Sequence, residues 1–549
     1  MNGKAGEAQI MSDAGRNARW KQFAALIAFG CLVAYVAGCA TEPERAGESA
    51  SADPPPLLRE FRGAWVAAVA NIDWPSRKGL PVAEQKAEIV RIVEAAQALN
   101  LNALIVQVRP AADALYASSI EPWSEYLTGE EGRAPDPLYD PLRTWIDEAH
   151  RRGIAIHAWF NPYRARHPSA TGPNAPSHIS RTNPELVKRY GDSLWMDPGE
   201  SAAAKRTLDV IVDVVRRYDI DGVHIDDYFY PYPVSVPGST PPIDQEFPDD
   251  PSWVRCVLRP ECDARTRADW RRGNVDALVE SIDAAVHREK PWMRFGVSPF
   301  GIGRPDLRPP GITGFSQYDK LYADVERWLG RGWLDYLAPQ LYWRRDDREH
   351  AFATLLDYWL SRNNRGRHVW PGLFTSRAVD ADTGWPADEI AQQIAVVRGG
   401  TAEPGHVHFS VRPLVANRQG IADRLGESAY RSPALIPAAP WLGAVTLAAP
   451  AMTVTANAGN DFTISIRGDR GSEVRQYAAW VRAGGVWRLA VSEIVDVNRD
   501  TRGSGAATTL VIPAASLAGH APEMVVAFAV DRYGNTGPAA RWSNSGKQR

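Results

Sequence analysis

From Phe61 to Leu425 the chain repeats one pattern, in which a short apolar run leads into a polar or aromatic loop and then into an amphipathic helix. Short apolar runs between turn signals predict buried strands, and apolar positions three and four residues apart predict helices. The pattern occurs about eight times in about 370 residues, which is the repeat number of a strand-helix barrel. The predicted strands are residues 63–70, 103–108, 154–160, 222–225, 294–300, 335–341, 369–374 and 406–411.

The regular alternation of strands and helices predicts a parallel sheet, because a crossover helix returns the chain to the same end of the sheet before each new strand. Residues 59–435 are therefore predicted to form a (β/α)8 TIM barrel. The alternative is an open doubly wound sheet, which needs a glycine-rich phosphate turn after its first strand. The turn here is Asn71-Ile72-Asp73-Trp74-Pro75, which contains no glycine.

After residue 435 the pattern changes to short alternating runs that are separated by turn residues. Alternation of apolar and polar positions predicts half-buried strands. The run Asp531-Arg532-Tyr533-Gly534-Asn535 resembles the end of a fibronectin-type domain. Residues 436–549 are therefore predicted to form a small C-terminal β-sandwich of the fibronectin type III-like kind. Its aromatic side chains are suited to bind sugar, but a packing or spacer role is favoured for this domain.

The first 38 residues carry the pattern of a secretory signal. Basic residues between 16 and 21 precede an apolar run, 23–36, that is too short to span a bilayer. The run ends in Val36-Ala37-Gly38-Cys39, which resembles a bacterial lipobox. It predicts a lipoprotein signal peptide at residues 1–38, with cleavage before Cys39 and acylation of that cysteine. A plain signal peptide is the alternative.

The residues after Cys39 indicate where the mature chain is held. Ala40 stands where an aspartate would resemble an inner-membrane retention signal, so the periplasmic side of the outer membrane is the predicted location. Residues 39–58 are rich in Glu, Ala, Ser and Pro and are predicted to be a flexible tether. In an oxidising compartment Cys256 and Cys262 are predicted to form a disulfide. No pair of His or Cys follows them at ligand spacing, so no metal site is predicted there.

Charge and composition narrow the classes of partner. The formal net charge is −3, so no nucleic-acid partner is predicted. The chain contains 20 Trp, which suits stacking on sugar rings as well as burial in a large core.

The fourth predicted strand carries the densest candidate chemistry. Side chains alternate along a strand, so His224 and Asp226 share one face while Val223 and Ile225 share the other. Polar residues at the C-terminal ends of barrel strands form the active site, which makes Asp226 and Asp227 the candidate catalytic pair. Asp227 reaches the cleft only if the strand ends before it and the loop turns it inward. A surface connection with solvated aspartates is the plainer alternative, and the surrounding aromatic residues disfavour it.

Polar residues at the ends of the other strands converge on the same cleft if all strands point one way. Carboxylates supply acid-base chemistry, amides and arginine bind hydroxyl or acetamido groups, and aromatic rings stack on pyranose faces, so the set indicates a sugar site. The set is Asp73, Gln107, Arg109, Asn161, Tyr163, His224, Asp226, Asp227, Ser298, Gln340, Tyr342 and Trp343, with His408 as a further candidate.

Sequence motifs across the barrel carry a family resemblance. They are Phe61-Arg-Gly-Ala-Trp-Val66 with Asn71-Ile-Asp-Trp-Pro75, Gln107-Val-Arg109, Trp159-Phe-Asn-Pro-Tyr-Arg164, Asp221-Gly-Val-His-Ile-Asp-Asp-Tyr-Phe-Tyr-Pro231, Gly296-Val-Ser-Pro299 and Pro339-Gln-Leu-Tyr-Trp343. These segments resemble the glycosyl hydrolase-like 10 family of bacterial envelope lipoproteins. The resemblance implies a TIM-barrel glycoside hydrolase that acts on peptidoglycan glycan strands already stripped of stem peptides. Trp74 and Tyr228, which stand in these segments, complete the predicted substrate-binding set.

Two mechanisms remain open at this stage. In one, Asp226 is the nucleophile, and the acid is Asp227 or a loop residue such as Asp73. In the other, one aspartate orients the acetamido group of the substrate, which attacks, while its neighbour protonates the leaving oxygen. No cofactor is predicted for either mechanism.

Three other functions remain open beside peptidoglycan cleavage. The chain could hydrolyse another polysaccharide, or it could bind glycan without cleaving it. A metal-dependent polysaccharide deacetylase would use the His224-x-Asp226 and His406-x-His408 pairs as ligands, but the two pairs lie on strands across the barrel, so no metal is predicted. Partner proteins in cell division or wall remodelling cannot be predicted.

Overall fold

Parallel strands form the central sheet of the structure, a computed structural model that describes residues 53–380, 384–457, 461–467, 473–495 and 508–544. The predicted signal peptide, Cys39 and the start of the tether lie outside these residues. Every pairing within the sheet is parallel, as predicted. In chain order the strands are Phe61–Val66, Ala103–Arg109, Ala155–Phe160, Gly222–Ile225, Arg294–Val297, Tyr336–Leu337, His368–Val369 with Gly372–Leu373, and Gly405–His408. They are called the first to eighth strands below.

The two pieces of the seventh strand pair with different neighbours. His368–Val369 pairs with the sixth strand and Gly372–Leu373 pairs with the eighth. The order of the sheet runs from His368–Val369 through the sixth to the first strand, then through the eighth strand to Gly372–Leu373. Only Trp370 and Pro371 separate the two pieces, and they bond to both sides: Trp370 N donates to Leu337 O at 2.8 Å, and Pro371 O accepts from Val407 N at 3.0 Å. The sheet therefore curls back on itself into a TIM-barrel-like fold.

Amphipathic helices between the strands cover the outside of the sheet. In Ser201–Arg217 the side chains of Val210 and Val214 are fully buried, while Lys205 and Asp209 form an exposed ion pair one turn apart. Burial of each such valine contributes about 1.5–3 kcal/mol. The main helices are Val82–Ala98, Pro141–His150, Ser201–Arg217, Arg267–Glu289, Val325–Arg331, Phe352–Arg362, Glu389–Gly400 and Ile421–Glu427.

Shorter helical turns lie mostly in the loops after the strands. The α-helical turns are Glu125–Thr128, Ile179–Thr182, Asp250–Val257, Gln317–Lys320, Thr375–Ala378 and Val411–Val415. The 3-10 turns are Val69–Asn71, Pro184–Leu186, Pro305–Leu307, Arg418–Gly420 and Ala514–Leu517. A disulfide joins Cys256, in the last turn of Asp250–Val257, to Cys262 in the loop that follows.

The barrel differs from the sequence prediction in two kinds of feature, the ends of strands and an additional sheet. The fifth, sixth and eighth strands end at Val297, Leu337 and His408 rather than at residues 300, 341 and 411. The first strand ends at Val66 rather than at residue 70, because Asp73 accepts a hydrogen bond from Ala67 N at 2.8 Å and draws the chain into a turn. The second feature is an additional antiparallel sheet after the third strand, whose short strands carry no long apolar run. Its strands are Arg164–Arg166, Val187–Tyr190 and Ser193–Met196.

The C-terminal region consists of two antiparallel sheets that share an apolar core, in which Ile464 and Ile466 of one sheet meet Val481, Val525 and Ala527 of the other. A fibronectin type III-like fold stays a prediction. In sheet order the strands are Ala451–Ala456, Phe462–Arg467 and Thr508–Ile512 in one sheet, and Val486–Val491, Val474–Ala483, Met524–Asp531 and Ala540–Ser543 in the other.

The C-terminal region contacts the N-terminal ends of the barrel strands. Arg475 forms ion pairs with Asp219 at 2.7 Å and with Asp221 at 2.6 Å, just before the fourth strand begins. The indole of Trp441 donates to Asp335, just before the sixth strand, at 2.7 Å. These contacts leave the opposite end of the barrel, where the strands finish, to the loops of the barrel itself.

Candidate active site

The fourth strand ends at Ile225, and the two aspartates follow it directly. Alternation places His224 and Asp226 on the inner face of the barrel. Because the chain leaves the sheet after Ile225, the side chain of Asp227 is also turned inward, where the Tyr232 phenol donates a hydrogen bond to it. Both aspartates are almost fully buried, with 3% and 2% of their surface exposed.

Two donors from the end of the third strand hold Asp226. The Trp159 indole N–H donates to it at 2.9 Å, and the Asn161 amide lies 3.2 Å from each of its oxygens. Burial raises the pKa of Asp226 to about 6, because a carboxylate is harder to charge away from water, while the positive charge of Arg164 and these donors work in the opposite direction.

Asp227 has the higher pKa of the pair. Burial raises the pKa of Asp227 to about 7, the Tyr232 phenol opposes this increase, and the negative charge of neighbouring Asp226 adds to it. As pH rises, Asp226 therefore ionises before Asp227, which keeps its proton to a higher pH. Near neutral pH the pair offers one carboxylate and one carboxylic acid, which is the combination that acid-base cleavage requires.

Partly exposed aromatic rings stand on two sides of the aspartates. On one side Tyr232 stacks on Phe315 with ring centres 5.1 Å apart, and Tyr228 lies 5.5 Å from Tyr232. On the other side Tyr342 packs between Phe374 and Phe409, at 4.8 and 5.7 Å. Trp343 packs edge-on to Phe300 at 5.7 Å. Half-buried rings around a pair of acids are suited to hold the apolar faces of a sugar chain.

Gln340 and Ser298 complete the inner wall beside Asp226. The Gln340 amide donates to the backbone carbonyl of Ser298 at 3.0 Å, and a hydrogen bond from Gln340 also lowers the pKa of Asp227, though less than burial raises it. Ser298 Oγ lies 2.9 Å from His224 Nε2. His224 itself is fully buried beneath the aspartates.

The structure places two predicted site residues in the loop framework beside the cleft. Asp73 accepts from Ala67 N at 2.8 Å and from Ser410 Oγ at 2.6 Å. Gln107 accepts from the backbone N–H of Ala68 at 2.9 Å and of Val69 at 2.8 Å. Both side chains therefore fix the turn that follows the first strand.

Three other predicted site residues are enclosed by protein. Arg109 is fully buried and forms a two-pronged ion pair with Glu121, with contacts of 2.8 and 2.6 Å. Trp74 packs edge-on against Trp145 at 5.4 Å. Tyr163 is fully buried, and its hydroxyl has no hydrogen-bond partner among the described residues. None of these three contacts the aspartates through a hydrogen bond within the part of the chain that the structure describes.

The site contains three further residues that were not among the predicted site residues. Trp159 and Tyr232 donate to the two aspartates, and the Arg164 guanidinium lies 4.1 Å over the ring of Tyr228. Trp159 was accessible to prediction, since it stands two residues before Asn161 and shares its face. Tyr232 carries no such signal, because its position depends on the path of an irregular loop.

The histidine pairs considered as metal ligands lie on opposite sides of the barrel wall. His224 faces the interior, whereas His406 and His408 face outward and both contact the Tyr430 hydroxyl. His408 also contacts the Thr375 hydroxyl at 2.7 Å. Within the described residues no three His, Cys, Asp or Glu side chains are grouped as metal ligands would be, and no helix is long and apolar enough to cross a bilayer.

Comparison with known proteins identifies the family. Residues 60–415 match the model of the family described as Glycosyl hydrolase-like 10. The chain is 39% identical over 418 residues to glycosyl hydrolase YngK of Bacillus subtilis, covering 74% of this chain and 79% of that protein. It is 32% identical over 343 residues to glycosyl hydrolase DigH of Escherichia coli, covering 58% and 75%.

Among solved structures the chain is matched to the PgaB (BpsB) glycoside hydrolase domain from Bordetella bronchiseptica, with 12% identity and a TM-score of 0.42, covering 67% of this chain and 98% of that domain. The resemblance seen in the barrel motifs is confirmed by the family match and by both sequence relatives. The chain belongs to the Glycosyl hydrolase-like 10 family.

Proposed function

We propose that this glycoside hydrolase cleaves the N-acetylated glycan strands of peptidoglycan after their stem peptides have been removed, with Asp226 and Asp227 as its catalytic pair. The observation that carries the proposal is the unequal environment of the two buried carboxylates. Trp159 and Asn161 hold Asp226 beside the charge of Arg164, whereas burial and the negative charge of Asp226 raise the pKa of Asp227. Two carboxyl groups with separated pKa values are the minimum for glycosidic cleavage.

Asp227 suits the role of general acid better than Asp73 does. Both oxygens of Asp73 accept hydrogen bonds that hold the turn after the first strand. Asp227 accepts the hydrogen bond from the Tyr232 hydroxyl through one of its oxygens, Oδ2. Because its pKa is about 7, Asp227 still carries a proton to donate when Asp226 is ionised.

The position of the pair favours participation by the substrate. Adjacent residues at one strand end approach a sugar from the same side, whereas an enzymatic nucleophile and its acid flank the glycosidic bond. In the proposed reaction Asp226 orients the acetamido group, whose oxygen attacks the anomeric carbon, and Asp227 protonates the departing oxygen. Water then gives a proton to the Asp227 carboxylate and attacks the anomeric carbon of the cyclic intermediate, so the new reducing end keeps the anomeric configuration of the bond that was cut.

The direct test is product analysis on purified denuded glycan strands. Mass spectrometry is expected to show shortened oligosaccharides that keep their acetyl groups, and the yield is expected to be unchanged by a metal chelator. Release of acetate without chain shortening would instead indicate a deacetylase. Binding of the strands without any product would indicate a glycan-binding protein.

The pH dependence of cleavage follows from the two raised pKa values. Asp226 must be ionised, so kcat/KM is expected to rise with pH through about 6. Asp227 must be protonated, so kcat/KM is expected to fall as pH rises through about 7. The profile should therefore be a narrow bell with its maximum between these values. Rates that stay constant from well below to well above this range would contradict the assignment.

We infer that the mature protein is a lipoprotein held on the periplasmic side of the outer membrane through Cys39, so that glycan strands are within its reach. The lipobox-like sequence before Cys39 and Ala40 after it support this inference. Changing Cys39 to Ser is expected to move the protein from the membrane fraction to the soluble periplasmic fraction, because the acyl anchor is lost. A Cys39→Ser variant that still partitions wholly with membranes would contradict it.

We also propose that the C-terminal sheets, of the predicted fibronectin type III-like kind, serve packing rather than sugar binding. Arg475 is buried between Asp219 and Asp221 of the barrel, and burial of such a charge is tolerated only when it is paired. The contacts tie this region to the barrel end that is remote from the aspartates.

A further inference from the structure

A buried series of polar side chains crosses the barrel beneath Asp226. His224 Nε2 lies 2.9 Å from Ser298 Oγ and 3.2 Å from Trp65 Nε1, and His224 Nδ1 lies 2.9 Å from the Tyr336 hydroxyl. The same hydroxyl lies 2.8 Å from His157 Nδ1. All five side chains are at most 3% exposed, so water does not compete for these contacts.

The indole of Trp65 fixes the direction of these hydrogen bonds. An indole N–H can only donate, so His224 Nε2 must accept. Burial lowers the pKa of His224 well below its ordinary value, so the ring is neutral and carries its proton on Nδ1. Nδ1–H then donates to the Tyr336 oxygen, and the Tyr336 O–H donates to His157 Nδ1.

The reverse direction leaves more buried groups without partners. In the direction given, His157 Nε2–H is the unpaired group, and that atom has no partner among the described residues. In the reverse direction His224 Nε2–H would face the Trp65 N–H, the indole would lose its acceptor, and the His157 Nε2 lone pair would also stay empty. Unpaired buried donors are destabilising, so the first pattern is favoured.

The direction of these hydrogen bonds determines whether Ser298 Oγ donates or accepts a further hydrogen bond. Because His224 Nε2 has no hydrogen, the hydrogen in its 2.9 Å contact with Ser298 Oγ belongs to the serine, which shares the one lone pair of this nitrogen with the more distant Trp65 indole at 3.2 Å. The serine oxygen then keeps only lone pairs for other partners. Ser298 stands at the level of Asp226, since Ile225 pairs with Val297 and Ser298 N donates to Ile225 O at 3.0 Å. An acceptor oxygen therefore lies next to the catalytic carboxylates.

We propose that Ser298 Oγ accepts a hydrogen bond from a hydroxyl group of the sugar seated against Asp226, and that His224 is the positioning residue that holds the serine in this orientation. The proposal rests on the proposed function. Sugar rings carry several hydroxyl groups, and a serine that can only accept selects the orientation in which one of them points at it. His224, predicted from sequence to bind substrate, acts through Ser298 instead.

Nitrogen-15 NMR of the histidines in the full-length protein tests the positioning part without any substrate. His224, identified by the signal that is lost in a His224→Phe variant, is expected to carry its proton on Nδ1, and His157 on Nε2. A proton on Nε2 of His224 would overturn the proposal, because Ser298 would then accept from the ring and donate outward. This result stands even if no glycan is cleaved, so it separates failure of this inference from failure of the proposed function.

Kinetics on denuded glycan strands test the binding part. Ser298→Ala is expected to raise KM about tenfold with kcat within about twofold, because the contact is present before and during the reaction. His224→Phe and Ser298→Ala are expected to be non-additive when combined, since both remove the same contact. An unchanged KM in Ser298→Ala would overturn the proposal. Covalent labelling of Ser298 by a fluorophosphonate would also overturn it, because the serine would then be a nucleophile.

Discussion

Replacing Asp226 with asparagine is expected to lower the turnover of glycan cleavage by at least about a hundredfold while leaving glycan binding largely intact. The change keeps the shape of the side chain but removes the charge that faces the attacking acetamido group or the developing oxocarbenium ion. It also places an amide against the donors of Trp159 and Asn161, so one hydrogen bond is lost as well. Turnover is measured on denuded strands, and binding by co-sedimentation.

Asp276 offers a matched control for this substitution. It is buried, it accepts a hydrogen bond from the indole of Trp328 at 2.6 Å, and burial raises its pKa to about 6, as for Asp226. It lies on Arg267–Glu289, outside the barrel. Asp276→Asn is therefore expected to keep normal turnover. A fully active Asp226→Asn variant would contradict the assignment of the whole site.

The Asp227→Asn variant is expected to lose turnover to a similar degree on glycan strands, because the departing sugar oxygen is no longer protonated. The loss should be much smaller on an aryl glycoside whose leaving group departs without protonation. With the same aryl glycoside, the pH profile of the wild-type enzyme should also lose its falling limb, because that limb reports the Asp227 proton. The measurement is the ratio of variant to wild-type kcat/KM on the two substrates.

Equal impairment of Asp227→Asn on both substrates would show that Asp227 is not the acid. The same comparison on Asp73→Asn separates the two candidates for this role. Its carboxylate holds the turn after the first strand, so its loss is expected to lower activity on both substrates alike and to lower the melting temperature.

The barrel and its central aspartate could be predicted from the sequence because both depend on local patterns. Alternating apolar runs and helical periodicity give the order of strands and helices, and closure follows from eight such units. Strand alternation placed His224 and Asp226 inside. The inward turn of Asp227 could be stated only as a condition, because it depends on the strand ending at Ile225.

The remaining site residues depend on contacts that the sequence does not disclose. Arg109 looks available for a substrate until Glu121, from the following loop, is seen to pair with it. His224 looks like a ligand until Trp65 and Tyr336, from distant strands, are seen to engage both of its nitrogens. Tyr232 contacts Asp227 because of the path of an irregular loop. Long-range partners of this kind decide whether a polar side chain faces the cleft or the core.

Cleavage of denuded glycan strands in oxygen-18 water, followed by mass spectrometry, tests the central claim most directly. Hydrolysis by the Asp226 and Asp227 pair predicts that each cut gives one fragment with a single oxygen-18 atom at its new reducing end, and that the Asp226→Asn variant gives no such product. Cleavage products none of which carries the label, or labelled products formed equally well by the variant, would contradict the account.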